Sequence, residues 1–262
     1  MQPDQSISAS EVPQSPAPPT LSEAVHSISS GELAAASSDP ALTEEFALAL
    51  LKRADLPAEV LIRLSKNGSV VKLRKVKLAL VGHAKTPRHI SIPLLRQLFT
   101  FDLMRVALQP VAPADIKMLA EEALINRLET ISSGERLSLA KRASGRVASV
   151  LVLDSEPRVM RAALENPRLI EASIIKALAR RDASSAFVET VCHHPKWSLR
   201  REVRVALLRN EKTPLARVVE FARSLPPALV REVLQGSGLP TRKSLLTKEV
   251  AAGSGSSTRN SR

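Results

Sequence analysis

The sequence predicts an all-α protein in which short helix pairs stack in a line, and three observations carry that expectation. The first is a recurring phrase, a large apolar residue, two spacers, then Ala or Val and Leu. It stands at Phe46–Leu50, Val76–Leu80, Met104–Leu108, Met160–Leu164, Val203–Leu207 and Val230–Leu234, with a weaker copy at Val188–Cys192. Repetition at a fixed period of 20–50 residues is the mark of stacked repeats. The second is composition: 44% of the 262 residues are hydrophobic but only 2% are aromatic. The core must therefore be Leu, Val, Ile and Ala, which leans to helix more than to sheet. The third is a set of helix-start signals in the expected places.

Within each phrase the apolar residues fall at i, i+3 and i+4, one stripe of a helix. The i+3 residue is Ala in five of the six full copies. A small side chain there lets a neighbouring helix come close. The starts of the phrase are separated by 30, 28, 56, 28, 15 and 27 residues. The 56 is twice 28, so a degenerate unit is expected near "GERLSLAKRA"; the step of 15 breaks the phase. Asn166-Pro167-Arg168-Leu169 returns 28 residues on as His194-Pro195-Lys196-Trp197. The second helix of each pair is expected in "PAEVLIRL", "IPLLRQLF", "ADIKMLAEEALINRL", "EASIIKALARR" and "LARVVEFARSL".

The caps follow. Thr43-Glu44-Glu45 sets acids at a positive helix end, and Ser132-Ser133-Gly134-Glu135 has capping-box spacing. Thr86-Pro87 and Thr213-Pro214 read as N-cap and first helical residue, with Asp55 taking the cap role where Leu56 replaces Thr. No single pair can bury its own apolar face. Stacking supplies that burial, at roughly 1.5–3 kcal/mol for each fully buried Leu.

The flanks differ. Residues 1–40 hold five acids and no Lys or Arg. This Ser/Pro/Ala-rich arm has too little apolar surface to offset its ordering entropy, so it is expected to be disordered, with a transient helix near Leu21–Ile28. The helical-repeat domain is assigned to 41–236. Residues 237–262 are read as a basic tail, in which a short helix is expected in "TRKSLLTKEVAA" and an unstructured end after it. One cysteine, Cys192, excludes an internal disulfide and a cysteine-ligated cluster. No secretory leader and no membrane span are read, and the cytoplasm is the expected compartment.

"MRAALENPRL", "VRVALLRNEKTP" and "LPAEVLIRL" make the chain resemble HEAT-like α-solenoids, in particular the leucine-rich-repeat-variant type, over residues 41–236. Arg161-Ala162-Ala163-Leu164-Glu165-Asn166-Pro167 matches that pattern best and residues 109–155 match poorly. The resemblance implies a right-handed stack of helix pairs whose concave surface binds a protein partner. It carries over no catalytic residue and no cofactor.

Charge supplies the alternative, a basic nucleic-acid-binding protein. Residues 41–236 carry 33 Lys and Arg against 20 Asp and Glu, a balance that attracts polyanions. Nine Lys/Arg and no acid lie between Val60 and Phe101. Lys72, Arg74, Lys75 and Lys77 form its centre, with Leu73, Val76 and Leu80 turned inward. Arg200, Arg201 and Arg204 form a second cluster, near Arg180 and Arg181 in sequence. For both clusters a solvated helix face is the favoured reading. No aromatic interleaves the first, which speaks against single-strand stacking. The enzymatic extreme of this alternative resembles HEAT-like alkylpurine DNA glycosylases, for which Asp182 and Trp197 are the nearest candidates. Cys192-His193-His194 points in diverging directions on a helix and predicts packing, not metal or nucleophile chemistry. Trp197, aligned with Leu169, predicts a packing role.

Overall fold

Residues 30–236 are described in the structure, a computed structural model, and fifteen α-helices with no strand are found among them. They are α1 (Ser30–Ser38), α2 (Glu44–Leu51), α3 (Ala58–Lys66), α4 (Arg74–Gly82), α5 (Arg88–Arg96), α6 (Thr100–Leu108), α7 (Ala114–Arg127) and α8 (Ser133–Arg142). The series continues with α9 (Gly145–Leu151), α10 (Pro157–Leu164), α11 (Glu171–Leu178), α12 (Ser185–His193), α13 (Arg201–Arg209), α14 (Leu215–Arg223) and α15 (Pro227–Gly236). The span expected at 41–236 falls into two compact units, divided between Leu94 and Leu95. The division lies just after Pro93, which removes a backbone donor from the interior of α5.

In the first unit α1 packs on α3 and α2 on α4. In the second, α7, α9, α11, α13 and α15 pack each on the next, and α8, α10 and α12 do the same. Within these series a helix lies beside the one two places along the chain, the repeat-like arrangement expected of stacked pairs, whereas α6 packs on α7 and α14 on α13 and α15. The phrase residues supply the seams: Leu50, Val76, Leu80, Met160, Ala163, Leu164, Val203 and Leu207 are all buried.

This packing explains the irregular spacing. Most steps of the phrase pass over two helices, as from α2 to α4. The step of 15 passes over one, from Val188 on α12 to Val203 on α13. The phrase changes series there and continues to α15. The degenerate unit is α8, whose buried residues are Leu139 and Ala140, the pair written in reverse. Arg136 of α8 holds Asp154 at 2.7 Å, both largely buried.

Some caps stand as expected. Thr43 accepts from the Phe46 amide, and Ser132 with Glu135 completes a capping box. Ser144 and Ser184 cap α9 and α12 in the same way. Thr86 and Thr213 do something else. Their hydroxyls donate backwards, to the carbonyls of Leu80 (2.7 Å) and Leu207 (2.6 Å), and Pro214 itself occupies the N-cap of α14. The threonines tie down the end of the preceding helix because its last carbonyls lack intrahelical partners. Asp55 does not cap α3: it grips Arg53 at 2.7 Å, and Pro57 stands at the N-cap.

Residues 30–38, assigned from composition to the unstructured arm, form α1, with Leu33 buried. The reason is tertiary. Asn67 donates to the carbonyls of Ser37 and Asp39, and Arg63 donates to that of Ala34. The remainder of the arm, including the helix expected at Leu21–Ile28, and the tail at 237–262 lie outside the described residues.

Candidate functional site

The polar groups of the stack follow one rule. Just past a helix, an Asn or His side chain accepts the amide two residues on and reaches back to the helix two places earlier. Asn67 accepts from Ser69 and donates to Ser37 and Asp39. His83 accepts from Lys85 through Nδ1, and Nε2–H donates to the Arg53 carbonyl at 2.9 Å. Asn166 accepts from Arg168 and donates to Ala140 and Ala143 at 2.7 and 3.2 Å. Asn210 accepts from Lys212 and donates to Leu178 at 2.7 Å. Each rung satisfies a carbonyl that the helix end leaves open.

His194 is the exception. Its Nδ1 accepts from Lys196 at 3.2 Å, so Nε2 carries the proton. The indole N–H of Trp197 has taken the carbonyl of Leu164, at 2.9 Å. The His194 Nε2 lies 3.1 Å from Glu165 Oε1 but off the hydrogen-bond line. Burial holds the imidazole below its ordinary pKa, although Glu165 pulls the other way.

The first basic cluster sits at the start of α4. Lys72, Arg74 and Lys75 are exposed and Lys77 is half-buried, while Val76 and Leu80 turn inward and Leu73 is half-buried. Arg74 and Lys77 make interactions within the chain. The first turn of α4 holds no acid. Cations at a positive helix end cost about 0.3–1 kcal/mol each, so local helix stability does not account for this placement. The second cluster divides. Arg200 and Arg201 are exposed, Arg201 within 4.0 Å of Glu202. Arg204 is committed: it donates to the Ser198 carbonyl (2.7 Å) and the Ser224 hydroxyl (3.0 Å), and its guanidinium lies over Phe221.

A cationic cleft that was not expected lies between the C-terminal ends of α11 and α13, with a volume of about 490 Å³. Arg180, Arg181, Arg209 and Lys212 line it over a floor of Ile175, Leu178, Ala179 and Ala206. In sequence the cations form two groups, Arg180 with Arg181 after α11 and Arg209 with Lys212 at the end of α13. Arg180 is held by Asp182, whose carboxyl sits below its usual range because of that bond. Lys212 donates to the carbonyls of Arg181 (3.3 Å) and Ala183 (2.5 Å).

The remaining candidates pack. Cys192 is fully buried, its thiol pushed up to about 11 by that burial. His193 stands outside and donates to the Glu189 carbonyl. Trp197 is buried, with the Lys196 ammonium 4.1 Å from its ring, whereas Asp182 is exposed on Arg180. Trp197 and Asp182 therefore do not wall a common pocket. No group of three His, Cys, Asp or Glu side chains placed to hold a metal ion occurs among the described residues. No described helix is long and apolar enough to cross a membrane. Comparison with protein-family models, with curated proteins and with solved structures returned no match for this chain.

Proposed function

We propose that the chain is a non-catalytic helical-repeat scaffold, a right-handed stack of the leucine-rich-repeat-variant type, that binds a protein partner. One observation carries the reading. Ile170, at the N-cap of α11, and Leu199, just before α13, lie one repeat apart at the same ends of two helices packed side by side, and are 61% and 67% exposed. Large apolar side chains presented at the repeat period form a surface suited to a partner. The excess of Lys and Arg suits an acidic one.

The test is capture from native extract by the full chain and by an Ile170→Glu, Leu199→Glu variant. The scaffold reading expects a partner retained by the first and lost by the second, with both giving the same thermal melt. Equal capture would contradict it. A second reading, nucleic-acid binding, is favoured by the exposed Lys72 and Lys75 at the start of α4, whose first turn holds no acid. Saturable binding of duplex DNA that weakens steeply with salt, and is lost on Lys72→Gln, Lys75→Gln substitution, would establish that reading instead.

A further inference from the structure

The cleft between α11 and α13 holds more guanidinium donors than its hydrogen bonds engage, although Arg209 lies in the last turn of α13, where the helix dipole favours a cation. Helix C-termini attract positive charge and need donors, and here the donors are already assigned. Asn210 takes the Leu178 carbonyl, Lys212 takes those of Arg181 and Ala183, and Thr213 takes that of Leu207. Arg180 is paired with Asp182. Arg181 and Arg209 remain, both exposed and both lining the cleft, their guanidiniums bonded to no described residue. Glu211, the one acid in the lining, has interactions of its own.

We propose that this cleft binds a phosphate monoester, presented on a phosphorylated side chain of the protein partner. The chemistry narrows the choice. Two guanidiniums each offer a fork of donors, and a dianion with three terminal oxygens engages both, whereas a single carboxylate matches one fork. The volume fits one side chain or small ligand, and four of the ten lining residues are aliphatic, which suits an apolar linker carrying the phosphate. A nucleic-acid strand fits less well, because the lining contains no aromatic on which a base could stack. Arginine clusters that read phosphorylated segments are a known mode of peptide recognition. This assignment rests on the scaffold reading for the source of the phosphate, not for the site itself.

The test uses the full chain. Phenyl phosphate is titrated while the arginine Nε–H resonances are followed by NMR, with benzoate as the carboxylate control. Saturable shifts at Arg181 and Arg209 are expected from the phosphate and not from benzoate. The Arg181→Gln, Arg209→Gln variant should lose at least about tenfold in affinity. The Arg200→Gln, Arg201→Gln variant, with the same net charge, should lose little. Equal losses in the two variants, equal response to benzoate, or no saturation would overturn the site. A degenerate phosphoserine peptide pool and a thymidine oligonucleotide then compete with phenyl phosphate. Displacement by the peptides but not by their unphosphorylated forms supports the assignment, and displacement by the oligonucleotide alone overturns it. Loss of partner capture with phenyl phosphate binding intact would strike the scaffold reading and leave the site standing.

Discussion

Asn166 and His194 occupy the same place in successive repeats, one period apart, yet they are bonded differently. Both accept an amide two residues on. Asn166 then straps α10 to α8 through two carbonyls. His194 faces α10, where the carbonyl of the last helical residue, Leu164, is held by Trp197. The position in the repeat fixes the task, joining a helix end to the one two places back. The neighbour three residues on decides which side chain performs it. Where Leu169 follows Asn166, the rung does the work; where Trp197 follows His194, the indole does, and the imidazole is left with a poorly aligned carboxylate.

The largest effect should come from Trp197→Ala. It opens a cavity in the core and leaves the Leu164 carbonyl without its donor, so urea denaturation should show a loss of about 3–5 kcal/mol. Trp197→Leu, which restores the residue of the preceding repeat, should recover part of this. A loss below about 1 kcal/mol for the alanine variant would mean that the indole does not join α10 to α12.

Asn166→Ala should come next. It strips two buried carbonyls of their donor, at a cost of about 1–3 kcal/mol, and should exceed the cost of His194→Ala measured in the same buffer. The reverse order would break the comparison, because it would make His194 the working strap.

The smallest effect is in pH. The folded His194 has a depressed pKa, caused chiefly by burial, so it stays neutral while the unfolded chain begins to take up a proton near pH 6.5. Protons then favour the unfolded state, and stability should fall as pH drops from 7.5 to 5.5. Of the groups facing the imidazole, Glu165 opposes the depression and softens the fall, while Lys196 adds to it. His194→Asn should flatten this part of the profile. A wild-type profile that rises towards pH 5.5 would contradict the assignment.

Much of the fold was legible because its signals are local. The Ala-Leu phrase marks one helix stripe at a time, and the caps at Thr43 and Ser132 act within three residues. The recurrence of Asn166-Pro167-Arg168-Leu169 as His194-Pro195-Lys196-Trp197 pointed to the rungs without showing what they bond, since their partners lie 23–33 residues back in the chain. The same limit hid α1, a small-residue helix held by Arg63 and Asn67. It also reversed the roles of Thr86 and Thr213, because the sequence Thr-Pro reads the same whether the hydroxyl serves the helix ahead or the one behind. At the candidate site, the charge count found Arg200, Arg201 and Arg204 but could not see that Arg204 is tied to Ser198 and Ser224. The cleft was missed because its cations are divided between two repeats and only packing brings them together.

The stacking of helices two apart can be read from one proton. The chain has a single tryptophan, so its indole N–H gives a single resonance. If α12 and α10 lie side by side as described, that signal should persist in D2O long after exposed amides have exchanged, with cross-peaks to Leu164. Its disappearance in the first spectrum, with no contact to α10, would contradict the stack at its best-defined seam.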